Sequence, residues 1–581
     1  MTESYLCDPA KVDWHGEIPY STYYQDIYWH RVGAAKEKQQ VFIEPMMQLA
    51  VQTRPGEQFT VCELGFGFGL NCMLAAEQWH SKDSSCRLNL ISIENQPVKP
   101  SVLKKCLQRH NFKHTSAMVK QYPPPYRGQH IIWLANNIRL LLILDEVDTA
   151  LANLDAELDF WFLDGFSPSK NAAMWHPSLY SKMYSRSRPG AGVATYTAAG
   201  HVRRGLNAAG FHAKRMPGFA QKKEMLRANS PGEWRARSHQ LKDVTIVGAG
   251  LAGIYCAEAF SRRDLTPRII ASGNAASHIP QLAVKAQLAV RPENRYLYSL
   301  LAYQYMKTSP GYHHTGLHWI ARHKDEISRL ARISDQFPNS IMSARADGSV
   351  DLREAGWLSY ENLKAQLDLA IIDDQIEFLQ PTDKGWQLIG GKAEYHAENV
   401  ILATGYHRQL LPSELEVRAI HGQAIAVKTD AVPTIINRDV SILPTHSGCS
   451  IVSGTYDRRD SLTANLNDTR KLIDSAEEIL GMELQHVESY TGIRGVSRDR
   501  LPIVGPAPDW EKLNKAGRFT DAKEHVAGLY FCTAFGSRGA THARLSSENL
   551  VAKLYREPAA LDLRQQRMLS PARFYFRDRN F

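Results

Sequence analysis

Short apolar runs alternate with helical patterns through the first 230 residues: "FTVCEL" (59–64), "RLNLISIE" (87–94), "LDFWFLD" (158–164) and "AGVATYT" (191–197). Runs of this length, separated by amphipathic stretches, predict a parallel sheet flanked by helices. In "VCELGFGFGLNC" (61–72) an apolar strand end meets Gly65, Gly67 and Gly69, and then a helical pattern begins. A second opening of the same kind, "VTIVGAGLAGIYCAEAF" (244–260), is followed by "PRIIAS" (267–272), giving a βαβ unit. Between them "RANSPGEWRARSHQLKD" (227–243) is polar and carries Pro231 and Gly232, which marks a linker, placed at 231–242. Residues 285–485 mix helical runs with strands such as "QAIAVKT" and "CSIVSGTY", and "GLYFCTAFGSRGATHARLSSENLVAKLY" (528–555) returns to strand, glycine turn and helix. The pattern predicts an α/β chain with domains over 1–230 and 243–581.

Length and composition agree with that division. A chain of 581 residues exceeds one ordinary core, and 44% apolar with 22% charged residues is a globular balance. The apolar run "LLLIL" (140–144) is short and ends at Asp145 and Glu146, so no membrane span is expected. The first residues lack a basic and apolar leader, and eight scattered cysteines form no CxxC pair. Both point to a reduced, cytoplasmic setting with no structural metal. The net charge of +9 invites an anionic partner, although charge alone identifies none.

The first glycine turn has two readings: packing of an αβ corner, or backbone approach to a ligand. Acids at successive strand ends favour the second. Glu63, Glu94, Asp145 and Asp164 each close or follow an apolar run and would share one rim of an open sheet. That order suits S-adenosylmethionine, with the glycine backbone by its amino-acid part, Glu94 on the ribose and Asp145 near the adenine. A nicotinamide dinucleotide would prefer a G-x-G-x-x-G turn, which this is not.

"ELGFGFGLN", "LISIENQP", "FWFLDGFSPSKNAAMW", "TYTAAGHVRRGLNAAGF" and "GFAQKKEML" occur in that order, preceded by "STYYQDIYWH" with Asp26 and Tyr28. Over residues 15–228 the chain thereby resembles the methyltransferase half of the MnmC family, which completes 5-methylaminomethyl-2-thiouridine at the tRNA wobble position. The resemblance implies methylation of an aminomethyl nitrogen, which must first be the neutral amine. Asp164 is then the candidate catalytic group, orienting the amine and taking its proton; the alternative is a cap for the next turn. Lys170, Arg203, Arg204, Lys222 and Lys223 are either contacts to tRNA phosphates or solvated charges. Tyr126 and Trp175 either stack on bases or belong to the core.

"GAGLAG" (248–253) is a true G-x-G-x-x-G: Gly248, Gly250 and Gly253 follow a strand and open a helix. "NVILATGY" (399–406) ends a strand in a turn with Thr404 and Gly405, and "GSRG" sets Gly536, Ser537, Arg538 and Gly539 at a helix start. With "GIRGVSRDRLPIVGPAPD" (492–509) and "LSPARFYF" (569–576), this half resembles the FAD-dependent oxidoreductase half of the same family. The fold implied is a Rossmann-like class I methyltransferase domain followed by a glycine-oxidase-like FAD domain with an inserted antiparallel-sheet substrate domain. The activity implied is removal of the carboxymethyl group of 5-carboxymethylaminomethyl-uridine, preceding the methylation. Arg494 or Arg538 would pair with the substrate carboxylate, or be structural. S-adenosylmethionine and FAD are the cofactors implied, and the tRNA anticodon region the partner; the oligomeric state stays open, a monomer being compatible. Two departures stand out. "PRIIAS" ends in Ala271 and Ser272, where FAD folds place an acid for the adenosine ribose, and residues 273–290 are unlike the family's glycine-rich segment. Two other readings therefore remain: a flavin half reduced to tRNA docking, or enzymes acting on a small amine.

Overall fold

A computed structural model describes residues 4–29, 33–220, 223–238, 241–273, 276–430, 432–457, 462–516 and 524–577. The chain divides into two compact units, one of Ser4–Gln240 with Ala552–Leu563, the other of Leu241–Val551 with Arg564–Phe581.

In the first unit the apolar runs form five parallel strands in the order Ser187–Thr195, Leu158–Leu163, Glu57–Leu64, Arg87–Glu94 and Ile138–Leu144. Helices cover both faces of such a sheet, which is why these strands are apolar almost throughout instead of alternating. Antiparallel strands extend both edges: Gly128–Ala135 on one side, Glu224–Asn229 and His212–Pro217 on the other. Near the start of the chain a turn of π-helix, Gln39–Ile43, interrupts the helical segment between Ala34 and Ala50. Its Phe42 packs on Phe162 of the central sheet with ring centroids 5.5 Å apart, and both side chains are buried. Burial of one such ring contributes roughly 2–3 kcal/mol, enough to fix where the π-turn sits.

The segment from Ala552 to Leu563 completes this unit. Arg139, a lone cation in the apolar strand Ile138–Leu144, meets Glu557 at 2.9 Å with both side chains 3% exposed. Arg139 also donates to the Pro558 carbonyl at 2.6 Å, and Gln58 donates to that of Tyr555 at 2.9 Å.

The second unit is built on a six-stranded sheet in the order Ile371–Asp373, Arg268–Ala271, Val244–Val247, Asn399–Leu402, His525–Thr533, Ile503–Pro508. All pairs but the last are parallel. The helix Leu251–Ser261 is apolar around nearly its whole circumference and is buried accordingly. An eight-stranded sheet drawn from residues between Leu317 and Val496 forms the second layer, antiparallel except where Leu317–Trp319 runs beside Ile435–Asn437. Among the described residues no helix is long and apolar enough to cross a membrane, and no cluster of three metal-ligating side chains occurs.

Candidate active sites

The carboxyl ends of the five parallel strands of the first unit open onto a cavity of about 540 Å³. Glu63, Gly65, Gly67, Glu94, Asp145 and Asp164 all line it. Gly65 adopts φ +99° and packs where a Cβ would stand 3.1 Å from the Asp164 carbonyl oxygen, so the turn and the strand end bearing Asp164 are held together. Gly69 does not line the cavity. The ring of Phe66 covers it, and its N–H donates to the Phe66 carbonyl at 2.7 Å, so it serves only to start the helix Leu70–Trp79.

The turn's own N–H groups are largely engaged. Gly65 N–H donates to the Ile93 carbonyl at 3.0 Å. Gly67 N–H donates to Glu94 Oε2 at 2.9 Å, and Gln96 N–H to Glu94 Oε1 at 2.9 Å. These donors fix the Glu94 carboxylate at the rim and oppose the upward push that burial gives its pKa. Asp145 is paired with Arg127 and accepts from Glu146 N–H at 2.8 Å.

Asp164 sits in a network that joins residues of three separate motifs and adds Lys38 from outside them. Lys38, directly before the π-turn, pairs with Asp164 Oδ2, and Asn71 donates to the same oxygen at 2.7 Å. Asn71 also donates to Glu63 Oε1 at 2.8 Å, while Ser92 donates to Glu63 Oε2 at 2.6 Å. Burial pushes the Glu63 carboxyl up to about 7; the hydrogen bond from Ser92 opposes this and the Asp164 charge adds to it. Burial also raises Asp164, and the Lys38 charge holds it down. Asp164 is thus ion-paired with Lys38 and accepts a hydrogen bond from Asn71 on the same oxygen, with the other oxygen facing no partner among the described residues. Asp26 accepts from Ser167 N–H at 3.0 Å, and Tyr24 and Tyr28 pack on Phe166 at 4.7 and 5.0 Å, forming an aromatic wall. Acids plus aromatic faces favour cationic ligands.

Tyr126 is fully buried and Trp175 nearly so, with the indole N–H of Trp175 donating to the Phe166 carbonyl at 2.9 Å. Both are core residues, which removes them as stacking platforms. Lys170, Arg204 and Lys223 are exposed and Arg203 is half-buried; Lys222 lies outside the described residues.

In the second unit a cavity of about 800 Å³ is lined by Gly248, Gly250, Thr404, Gly405, Arg494, Gly536, Ser537, Arg538 and Gly539. Gly250 caps the helix Leu251–Ser261, whose unpaired N–H groups suit a pyrophosphate. Gly253 lies outside the lining: a Cβ there would stand 1.9 Å from the Gly248 carbonyl oxygen, so it allows helix and turn to approach. Thr404 Oγ1 is buried without a hydrogen-bond partner, an orphan that a bound ligand would satisfy.

Three cations face this cavity with no carboxylate partner among the described residues. Among the described residues Arg494 donates only to the Thr455 carbonyl, at 3.4 Å, and its guanidinium fills the space left by Gly422. Burial lowers the pKa of both Arg494 and Arg538. Lys285, which no motif marks, donates to Asn437 Oδ1 and Ser441 Oγ; burial pushes it down to about 8, with the Arg538 charge adding to the effect. The glycines, the helix terminus, the orphan hydroxyl and the unmatched positive charge fit an anionic flavin dinucleotide.

Comparison with known proteins matches both units. A family model for S-adenosyl-L-methionine-dependent methyltransferases matches residues 110–231, and one for FAD dependent oxidoreductases matches residues 243–554. The chain is similar to the tRNA 5-methylaminomethyl-2-thiouridine biosynthesis bifunctional protein MnmC of Chromohalobacter salexigens, at 29% identity over 97% of this chain and 93% of that one. The protein of that name from Maricaulis maris is 28% identical over 98% and 96%. Glycine oxidase from Geobacillus kaustophilus, a solved structure, is 20% identical with a TM-score of 0.44, covering 57% of this chain and 98% of that one.

Proposed function

The chain belongs to the FAD dependent oxidoreductase family, and from that premise we propose that it is a bifunctional tRNA wobble-uridine-modifying enzyme. Its second unit removes the carboxymethyl group of 5-carboxymethylaminomethyl-(2-thio)uridine. Its first unit then methylates the exposed aminomethyl nitrogen. The observation that supports this reading is the difference between the two cavities: carboxylates gather in the first, while Lys285, Arg494 and Arg538 face the second with no carboxylate partner among the described residues.

Bound FAD would supply a two-electron acceptor for hydride from the carboxymethyl carbon beside the amine, and water would cleave the resulting imine to the aminomethyl group, releasing the two carbons as glyoxylate. Arg494 and Arg538 hold the substrate carboxylate, a planar fork against a planar anion. Lys285 keeps the cavity positive beside them.

Bound S-adenosylmethionine supplies an electrophilic methyl group. Glu94 accepts from the ribose hydroxyls, and Asp145 closes the adenine end. Asp164 takes the proton of the incoming ammonium at Oδ1, the oxygen left over by Lys38 and Asn71, which frees the nitrogen lone pair. Asn71 and Lys38 fix that carboxylate in place, and the wall of Tyr24, Tyr28 and Phe166 excludes water.

The tRNA anticodon region is the partner, in the cytoplasm, and the net charge of +9 accounts for affinity to phosphates. Affinity should fall steeply with salt. The deciding experiment is nucleoside mass spectrometry of tRNA bearing carboxymethylaminomethyl-uridine, incubated with the protein, FAD and S-adenosylmethionine. Methylaminomethyl-uridine is expected, and aminomethyl-uridine when the methyl donor is omitted. An unchanged nucleoside in both tubes overturns the proposal.

A further inference from the structure

The strand Arg268–Ala271 follows the second glycine turn, and its end is where a dinucleotide fold ordinarily sets an acid on the adenosine ribose. Ala271 and Ser272 offer no carboxylate there. The sheet supplies one from next door. Ile371–Asp373 runs parallel to Arg268–Ala271, and Asp373 is the register partner of Ala271. Register partners on adjacent parallel strands lie about 4.8 Å apart and present their side chains to the same face. Asp373, Ala271, Ser272 and Gly273 all line the same cavity as Gly248 and Gly250.

Of the two neighbouring acids only Asp373 is available. Asp374 is buried and accepts from the N–H groups of Gln375, Lys392 and Ala393 and from the Tyr395 hydroxyl, at 2.8, 3.0, 3.2 and 2.9 Å. It locks the turn after the strand. Asp373 is exposed at the cavity mouth; Lys392 Nζ donates to its Oδ2 at 2.6 Å, and Oδ1 has no partner among the described residues. Lys392 thereby engages one carboxylate oxygen and leaves the other open to a ligand.

Building on the proposed flavin activity, we propose that Asp373 is the ribose-binding acid of this chain, accepting hydrogen bonds from the adenosine hydroxyls of FAD in place of a residue at position 271 or 272. The acid has moved one strand along the sheet, and the dinucleotide site is whole.

The test measures binding to the flavin-free full-length protein by quenching of flavin fluorescence, with FAD and with FMN, which lacks the adenosine. Asp373→Ala should weaken FAD by about 10- to 100-fold, the scale of hydrogen bonds to a charged acceptor, and leave FMN unchanged. Unchanged FMN binding also reports an intact fold. Ser272→Glu added to Asp373→Ala should restore FAD affinity, and Lys392→Met should retain most of it. Equal FAD affinity in wild type and Asp373→Ala overturns the assignment while leaving the flavin activity standing. So does a loss shared by FMN, or a loss reproduced in full by Lys392→Met. Failure of the wild type to bind FAD overturns both the assignment and the oxidoreductase reading.

Discussion

Around the first cavity stand Glu63, Glu94, Asp145 and Asp164, with Lys38 and Arg127 as counter-charges; around the second stand Lys285, Arg494 and Arg538, none with a carboxylate partner among the described residues. A protein does not keep unmatched charge in a partly buried site without a reason, since desolvating an unpaired ion costs several kcal/mol. Each cavity leaves vacant the sign that its ligands bring. On the proposed function, sulfonium and ammonium enter the acidic one, and a carboxylate and a flavin that becomes anionic on reduction enter the basic one. The glycine turns differ in the same spirit. Both turns give their first N–H to the neighbouring strand, Gly65 to the Ile93 carbonyl and Gly248 to that of Ile270, but the first also ties Gly67 N–H to Glu94, whereas the second leads into a helix terminus suited to a pyrophosphate.

The contrast breaks most sharply at Asp164. Asp164→Asn should reduce methyl transfer to aminomethyl-tRNA by about 1,000-fold, within the usual range for losing a general base, and leave flavin reduction untouched. Single-turnover assays of the two steps separate these effects, and a deficit in both would mean the cavities do not act independently. Next in size is Arg494→Met, expected to lower kcat/KM for the carboxymethyl substrate about 100-fold through lost carboxylate pairing. Gly422→Ala should mimic it, because a Cβ there would stand 2.4 Å from the guanidinium carbon. Equal rates for wild type and Arg494→Met would move the carboxylate site elsewhere.

The smallest effect sharpens the comparison by pH. Lys38 holds the Asp164 carboxyl down against burial, so Lys38→Met lets that pKa rise. The base is then protonated at a higher pH, and methyl transfer fails earlier as pH falls. If the carboxyl becomes about tenfold less acidic, the rate on the acid limb drops about tenfold and the rate at high pH changes little. Lys38→Arg should return the profile toward wild type. A pH profile for Lys38→Met superimposable on wild type would leave Lys38 with packing alone.

Legibility follows from locality. Acids at the ends of apolar strands were readable because a parallel sheet gathers its carboxyl ends, and Glu63, Glu94, Asp145 and Asp164 do line one cavity. Lys38 was not, since it precedes a π-turn that shifts the helical period and lies 126 residues before Asp164; Asn71 stands inside the first glycine motif, but nothing local shows that its amide bridges Glu63 and Asp164. Gly69 and Gly253 belong to their motifs in sequence but serve the backbone instead of the cavity wall. The partner of Ala271 lay in "IIDDQ" (371–375), which nothing local joins to "PRIIAS" (267–272); only strand order brings the two together.

The clasp of Glu557 by Arg139 and Arg87 has a consequence for heredity. A chain whose first unit borrows a late stretch of sequence is stitched, and one break cannot part it cleanly. Fission after residue 240 would strand Glu557 on the wrong gene product and strip the first unit of a piece it packs around. Such a break would leave Arg139 buried without its carboxylate, so the first unit could be separated only if the late stretch travelled with it.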